Sequence, residues 1–166
     1  RDRGRCDREQ VIFNFANQRF AKDAVDRLLA VTEASVDVRQ VDAGRHVAAA
    51  LAHVQLGNAV VVGLARGGVT VAAEVARSLS LPLDALAVRK IGYPFQPEYG
   101  IGAVTPGGGG VYLRSSEGLG EPELRRVIEQ AQAKADALDR IIHERHRQLD
   151  LRGKTAVLVD DGLATG

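Results

Sequence analysis

Two adjacent carboxylates, Asp160 and Asp161, close the apolar run Val157-Leu158-Val159, and small residues follow from Gly162 to Gly166. Carboxylates at the mouth of a strand can accept hydrogen bonds from sugar hydroxyls, and the amides of a small-residue loop beyond them can cradle a phosphate. A strand end followed by a helix cap would use the same residues. Two desolvated like charges side by side are costly unless a ligand or a metal answers them, which favours the functional reading. A second element, Leu64-Ala65-Arg66-Gly67-Gly68, follows a β-branched run and opens a helical pattern. Its glycines let backbone N–H groups approach an anion, and Arg66 adds charge-assisted hydrogen bonds. Glycine-rich turns also connect strands to helices in proteins that bind nothing, so this loop does not decide the matter alone. Arg89-Lys90, two cations at the end of the next apolar run, make a third element, though on their own they read more readily as surface charge.

Other chemistries fail on inspection. The chain has no G-x-x-x-x-G-K-[ST] and no G-x-S-x-G, which removes the nucleotide loop of that class and the nucleophile elbow. A dinucleotide fingerprint from Gly63 would need glycine where Ala65 stands, and the acid about twenty residues on, Asp84, starts its strand instead of ending it. His143 and His146 are three apart on a helical pattern and could share a metal, but a solvated helix face accounts for them more simply.

The elements that must position these residues follow from periodicity. Phe20, Ala24, Leu28 and Val31 suggest a short amphipathic helix over 19–31. From Asp42, the spacing of Val47, Leu51 and Val54 predicts a second helix that stops at Gly57-Asn58. The run 59–63 reads as a strand buried on both faces, a helix is predicted over 69–80 with Val71, Val75 and Leu79 on one stripe, and a second strand over 83–88 ends at Arg89-Lys90. Strand, helix, strand in this order implies a parallel α/β sheet flanked by helices. Residues 91–118 carry prolines, glycine turns and short β patterns at "IGAV" and "VYL", the signature of a flexible β hood. A long helix is predicted from Pro122 to about Leu149, with Leu124, Val127, Ile128, Ala131, Leu138 and Ile142 inward, and "KTAVLVDD" is the third parallel strand.

Bulk properties agree with a single soluble α/β domain. The chain has 166 residues, 45% hydrophobic and 26% charged, with a net charge of +1. That balance supplies no overall basic field for nucleic acid or for a membrane surface. No apolar run approaches the roughly 18 residues of a membrane span. The single cysteine, Cys6, excludes an internal disulfide, and a reducing cytoplasm is expected. There is no methionine, so Arg1 is not expected to be the natural start.

"VLVDDGLATG" resembles the PRPP-binding motif of the type I phosphoribosyltransferases: an apolar strand, two acids, small residues, then Thr-Gly. PRPP is 5-phosphoribosyl 1-pyrophosphate. The order "DAGRHVAAALA", "GLARGGVTVAAEVA", "LDALAVRKIGYPFQPEYGIGAV" and then that motif is similar to bacterial phosphoribosyltransferase-domain proteins over residues 40–166, leaving 1–38 as an N-terminal segment of unassigned role. The resemblance implies a Rossmann-like α/β core with a flexible hood, cytoplasmic and dimeric, in a chain that is expected to lack the C-terminal part of the fold and therefore to bind PRPP poorly alone. It implies that Asp160 and Asp161 hold the ribose hydroxyls and, through them or water, Mg²⁺. Gly162, Ala164, Thr165 and Gly166 would hold the 5′-phosphate. Ala65, Arg66, Gly67 and Gly68 would form the pyrophosphate loop, where such proteins often have a strained or cis peptide, and Arg89 and Lys90 would reach the pyrophosphate. The implied activity is phosphoribosyl transfer from PRPP to a nucleobase or similar nitrogen nucleophile, as in nucleotide salvage. The alternatives are a PRPP-binding regulatory module without turnover and one domain of a larger fusion. Tyr93, Phe95 and Tyr99 could stack on a base or simply pack the hood.

Overall fold

The computed structural model describes residues 37–108, 111–113, 118–145 and 147–162. The expected helix over 19–31, Cys6, His146, Ala164, Thr165 and Gly166 lie outside the described residues. Helix α1 (Val38–Leu51) leads to strand β1 (Ala59–Ala65), helix α2 (Gly68–Leu79) and strand β2 (Leu83–Ala87). Strands β3 (Arg89–Tyr93), β4 (Gln96–Val104) and β5 (Val111–Leu113) follow, then helix α3 (Glu121–Arg145) and strand β6 (Thr155–Val159).

Strand β1 is the middle of a parallel three-stranded sheet of order β2-β1-β6. Six of its seven residues are buried, as a continuous run of Ala and Val requires when both faces are covered. Helix α2 lies directly on it: a side chain at Gly63 would come within 2.8 Å of the Val69 Cα and 2.9 Å of the Ala72 Cβ. All residues of α2 from Gly68 to Ala76 are buried. Ser80, in the left-handed region at φ 54°, turns the chain out of α2 toward β2.

Helix α1 differs from the pattern read in the sequence. It starts at Val38 and ends at Leu51, the inward residues are Gly44 and Ala48, and Val47 and Val54 are 38% and 42% exposed. The reason is the closeness of α1 to α2. A Cβ at Gly44 would stand 2.7 Å from the Glu74 Cβ and 2.8 Å from the Val71 carbonyl oxygen, so only small residues fit and no stripe of large apolar residues marks the face. The helix begins where the Asp37 side chain accepts the Arg39 N–H at 2.9 Å, the usual role of an N-cap aspartate.

The predicted second strand and the hood also need adjustment. Strand β2 ends at Ala87, and Arg89-Lys90 begin β3 instead of closing β2. Strands β3, β4 and β5 form a separate antiparallel sheet, with β4 in the middle. Helix α3 extends over Glu121–Arg145, short of the predicted end, and the Leu149 N–H instead donates to the Asp84 carboxylate at 2.9 Å. Its inward residues are those the periodicity names, but they serve two cores. Leu138 and Ile142 join the main core with α2, β1 and β2, whereas Ala131 and Ala135, with Leu124, Val127 and Ile128 at their margin, pack on Ile91, Ile101 and Val104 of the hood. Among the described residues no helix is long and apolar enough to cross a membrane.

Candidate functional site

Parallel strands bring their carboxyl ends to one edge, and here those ends are β1, β2 and β6. Ala65 is opposite Ala87, and Gly63 is opposite Val159. The turn out of β1 and the acids after β6 therefore meet. The Ala65–Arg66 peptide is cis, and Gly67 then enters α2 with φ −59° and ψ −41°. A Cβ on Gly67 would stand 1.9 Å from Asp161 Oδ2, and one on Gly68 would stand 2.6 Å from the Val159 carbonyl oxygen and 2.8 Å from the Asp160 Cα. Both positions need glycine because of this approach, not because of backbone conformation.

The carboxylates thus lie against the N-terminus of α2, where the helix dipole favours negative charge, although the Val69 and Thr70 N–H groups already donate to the Arg66 and Gly67 carbonyls at 3.2 and 3.3 Å. Asp160 Oδ1 accepts the Asp161 N–H at 2.9 Å. Burial raises the Asp160 carboxyl above the ordinary aspartate value, the Asp161 charge pushes the same way, and the Asp161 N–H pulls against both. Both residues are nevertheless exposed, so the pair is less desolvated than its place at a strand end suggests. Gln40, in the first turn of α1, donates from Nε2 to Asp161 Oδ2 at 3.2 Å. Nothing in the sequence pattern singled out Gln40.

Arg89 and Lys90 leave the same edge two residues beyond the end of β2. The Arg89 Nε is buried without a hydrogen-bond partner among the described residues. The Lys90 ammonium turns away along the hairpin, donating to both the carbonyl and Oε2 of Glu98 at 3.2 Å. Gly100 leaves room for its stem, since a Cβ there would touch the Lys90 Cδ at 3.1 Å. At the tip, Tyr93 meets Phe95 and Tyr99 edge-on at 6.2 Å, with Phe95 78% and Tyr99 52% exposed.

His143 is not on a solvated face. Its side chain is 14% exposed, with Nε2 3.5 Å from the buried Asp84 and Nδ1 3.2 Å from Asp139. Asp84, rejected in the sequence as a ribose ligand because it starts its strand, instead receives the Ala85 and Leu149 N–H groups. Among the described residues no group of three or more His, Cys, Asp or Glu side chains is arranged to hold a metal ion.

No family model matches the chain. Two curated proteins of Mycobacterium tuberculosis, from strains CDC 1551 and H37Rv and both named "putative phosphoribosyl transferase", are each 42% identical over 134 residues, covering 75% of this chain. The similarity supports a phosphoribosyltransferase-like family. The aligned region is 29% of the length of each relative. A solved structure, TT1426 from Thermus thermophilus, is 36% identical with a TM-score of 0.59, covering 74% of this chain and 59% of that one. The α/β architecture, a parallel sheet flanked by helices, is consistent with a phosphoribosyltransferase-like fold.

Proposed function

We propose that this chain carries the PRPP site of a phosphoribosyltransferase that moves the 5-phosphoribosyl group to a nucleobase or similar nitrogen nucleophile and releases pyrophosphate. The observation that carries the reading is the contact between the Gly67-Gly68 turn and Asp160-Asp161, which places an anion-favouring helix N-terminus beside two hydrogen-bond-accepting carboxylates. Those are the two chemistries that a ribose bearing a pyrophosphate requires.

In this reading Asp160 and Asp161 receive the ribose hydroxyls, while the amides about Gly67 and Gly68 with Arg66 receive the pyrophosphate. Arg89 adds charge at the same edge, and Lys90 contributes once it leaves Glu98. Gly162, Ala164, Thr165 and Gly166 hold the 5′-phosphate. Attack by the acceptor nitrogen on the anomeric carbon forms a C–N bond, the electron pair of the breaking C–O bond leaves with pyrophosphate, and the nitrogen loses its proton. Positive charge grows on the ribose ring and negative charge on the leaving group, so fixed carboxylates on one side and amides and guanidinium groups on the other favour the transition state. Two carboxylates are too few for an all-protein magnesium site but suit a cation that takes its other ligands from substrate oxygens and water. When bound with the substrate, Mg²⁺ would neutralise pyrophosphate charge. The hood, rooted at the same edge, would exclude water.

The test is pyrophosphate release by the full-length protein with PRPP, Mg²⁺ and a panel of nucleobases, alongside the Asp160→Asn/Asp161→Asn double variant. We expect release that depends on one base and falls by at least about a hundredfold in the variant, the scale of losing electrostatic transition-state contacts. PRPP binding without release for any base would make the chain a PRPP-responsive module instead.

A further inference from the structure

We infer that Gln40 is a positioning residue for the Asp161 carboxylate; the inference rests on the proposed reading of the site. Asp161 is held from three sides. Asp160 precedes it, the Gly67 backbone lies beneath Oδ2, and the Gln40 amide donates to that oxygen from another element, 121 residues away in the chain. A neutral donor suits this place. A lysine or arginine would cancel the charge that the ribose hydroxyls and their cation need, whereas an amide orients the carboxylate and leaves its charge and remaining lone pairs available.

The tether also settles a competition. Oδ2 lies over the mouth of α2, and an untethered carboxylate is drawn to the first N–H groups of that helix. In the proposed reading the pyrophosphate approaches the same helix end. The Gln40 amide occupies one acceptor site of Oδ2 and so opposes that pull on the carboxylate. The tether is stiff because α1 is clamped to α2 one turn further on. Gly44 permits the close approach, and Arg45 pairs with Glu74, which is also bonded to Arg77. The Asp-Ala-Gly-Arg stretch that opens the resemblance thus fixes Gln40 over the site.

Calorimetric titration of the full-length protein with PRPP and Mg²⁺ tests this with Gln40→Ala and Gln40→Glu. Gln40 is the third residue after the Asp37 cap, where glutamate favours helix formation through the capping box and the dipole. A purely structural role therefore leaves Gln40→Glu equal to the native protein or better. Positioning makes it the worse of the two, because it sets a third carboxylate against Asp161. We expect Gln40→Ala to weaken PRPP binding about tenfold, the scale of one hydrogen bond to a charged group, and Gln40→Glu to weaken it more. Thermal midpoints should remain within about 2 °C and, where turnover is measurable, kcat should change less than KM. Native affinity in both variants overturns the inference. If the native protein binds no PRPP, the functional reading fails, and the tether is read by NMR instead. The Gln40 side-chain amide resonance must then shift in Asp161→Ala, and no shift overturns the tether itself.

Discussion

Gly67 and Gly68 are adjacent, yet a methyl group added at each meets a different kind of neighbour. At Gly67 the obstacle is the Asp161 carboxylate, the free end of an exposed side chain, and the backbone there is ordinary right-handed helix. Gly67→Ala should therefore fold with a nearly unchanged melting midpoint but displace Asp161, and we expect PRPP affinity to fall at least about tenfold, comparable to losing a charged hydrogen bond. At Gly68 the obstacles are the Val159 carbonyl oxygen and the Asp160 Cα, which cannot move without disturbing β6. Gly68→Ala should cost about 1–3 kcal/mol of stability, as overpacked sites do, read by urea denaturation. Equal stability of the two variants would contradict this division. These glycines and the acids were legible in the sequence because each lies just beyond an apolar run. Gln40 was not, since hydrogen bonding across 121 residues leaves no periodic trace. The burial of His143 was missed for the same reason: Asp139 stands at helical spacing from it, but Asp84, toward which its other nitrogen points, is on a strand.

Helix α3 is fastened to the sheet by that histidine. Asp84 on β2 raises the His143 pKa above its ordinary value by hydrogen bonding, burial opposes this, and the charges of Asp84 and Asp139 add to the rise. Each ring nitrogen stands beside a carboxylate, Nε2 3.5 Å from Asp84 and Nδ1 3.2 Å from Asp139, so the protonated ring is paired on both sides. Because the folded-state value is raised, the stabilisation is complete below the unfolded value of about 6.5 and is lost as pH climbs through the raised one. In urea titrations we expect His143→Gln to be more destabilising at pH 6 than at pH 8.5; the opposite order would show that His143 is held neutral. Among the elements, α2 and α3 were legible because large apolar residues recur at helical spacing. Helix α1 was only half legible, since Gly44 and Ala48 face inward and small residues carry little hydrophobic signal. The β2–β3 boundary was hidden because Val88 alone separates the strands, and valine is itself a strand former.

Among the described residues α3 alone contributes to both the main core and the hood core, while a smaller cluster of Val60, Val62 and Ala156 covers the other face of the parallel sheet. The main core is a covered parallel sheet, whereas the hood is a small antiparallel sheet whose register shifts on either side of Gly92. Native-state hydrogen exchange should therefore protect the amides of β1 and α2 longest and release those of β3 and β4 earlier. Simultaneous exchange of both sheets would mean that they unfold as one unit. The α/β class was legible from the alternation of strand and helix. The hood was partly legible: the β patterns at 101–104 and 111–113 fall on β4 and β5, whereas β3 and the first half of β4 were hidden among glycines and prolines that have no long period. Helix α3 also has a mechanical aspect. Its 25 residues make a rod of about 37 Å, gripped by the main core at Leu138 and Ile142 and by the hood at Ala131 and Ala135. From Ile142 to Leu124 the axis spans about 27 Å. A tilt of only about 5° at the gripped end swings the Leu124 end by about 2 Å, so a small shift against β2 becomes a displacement of the hood as wide as a bond to a ligand is long.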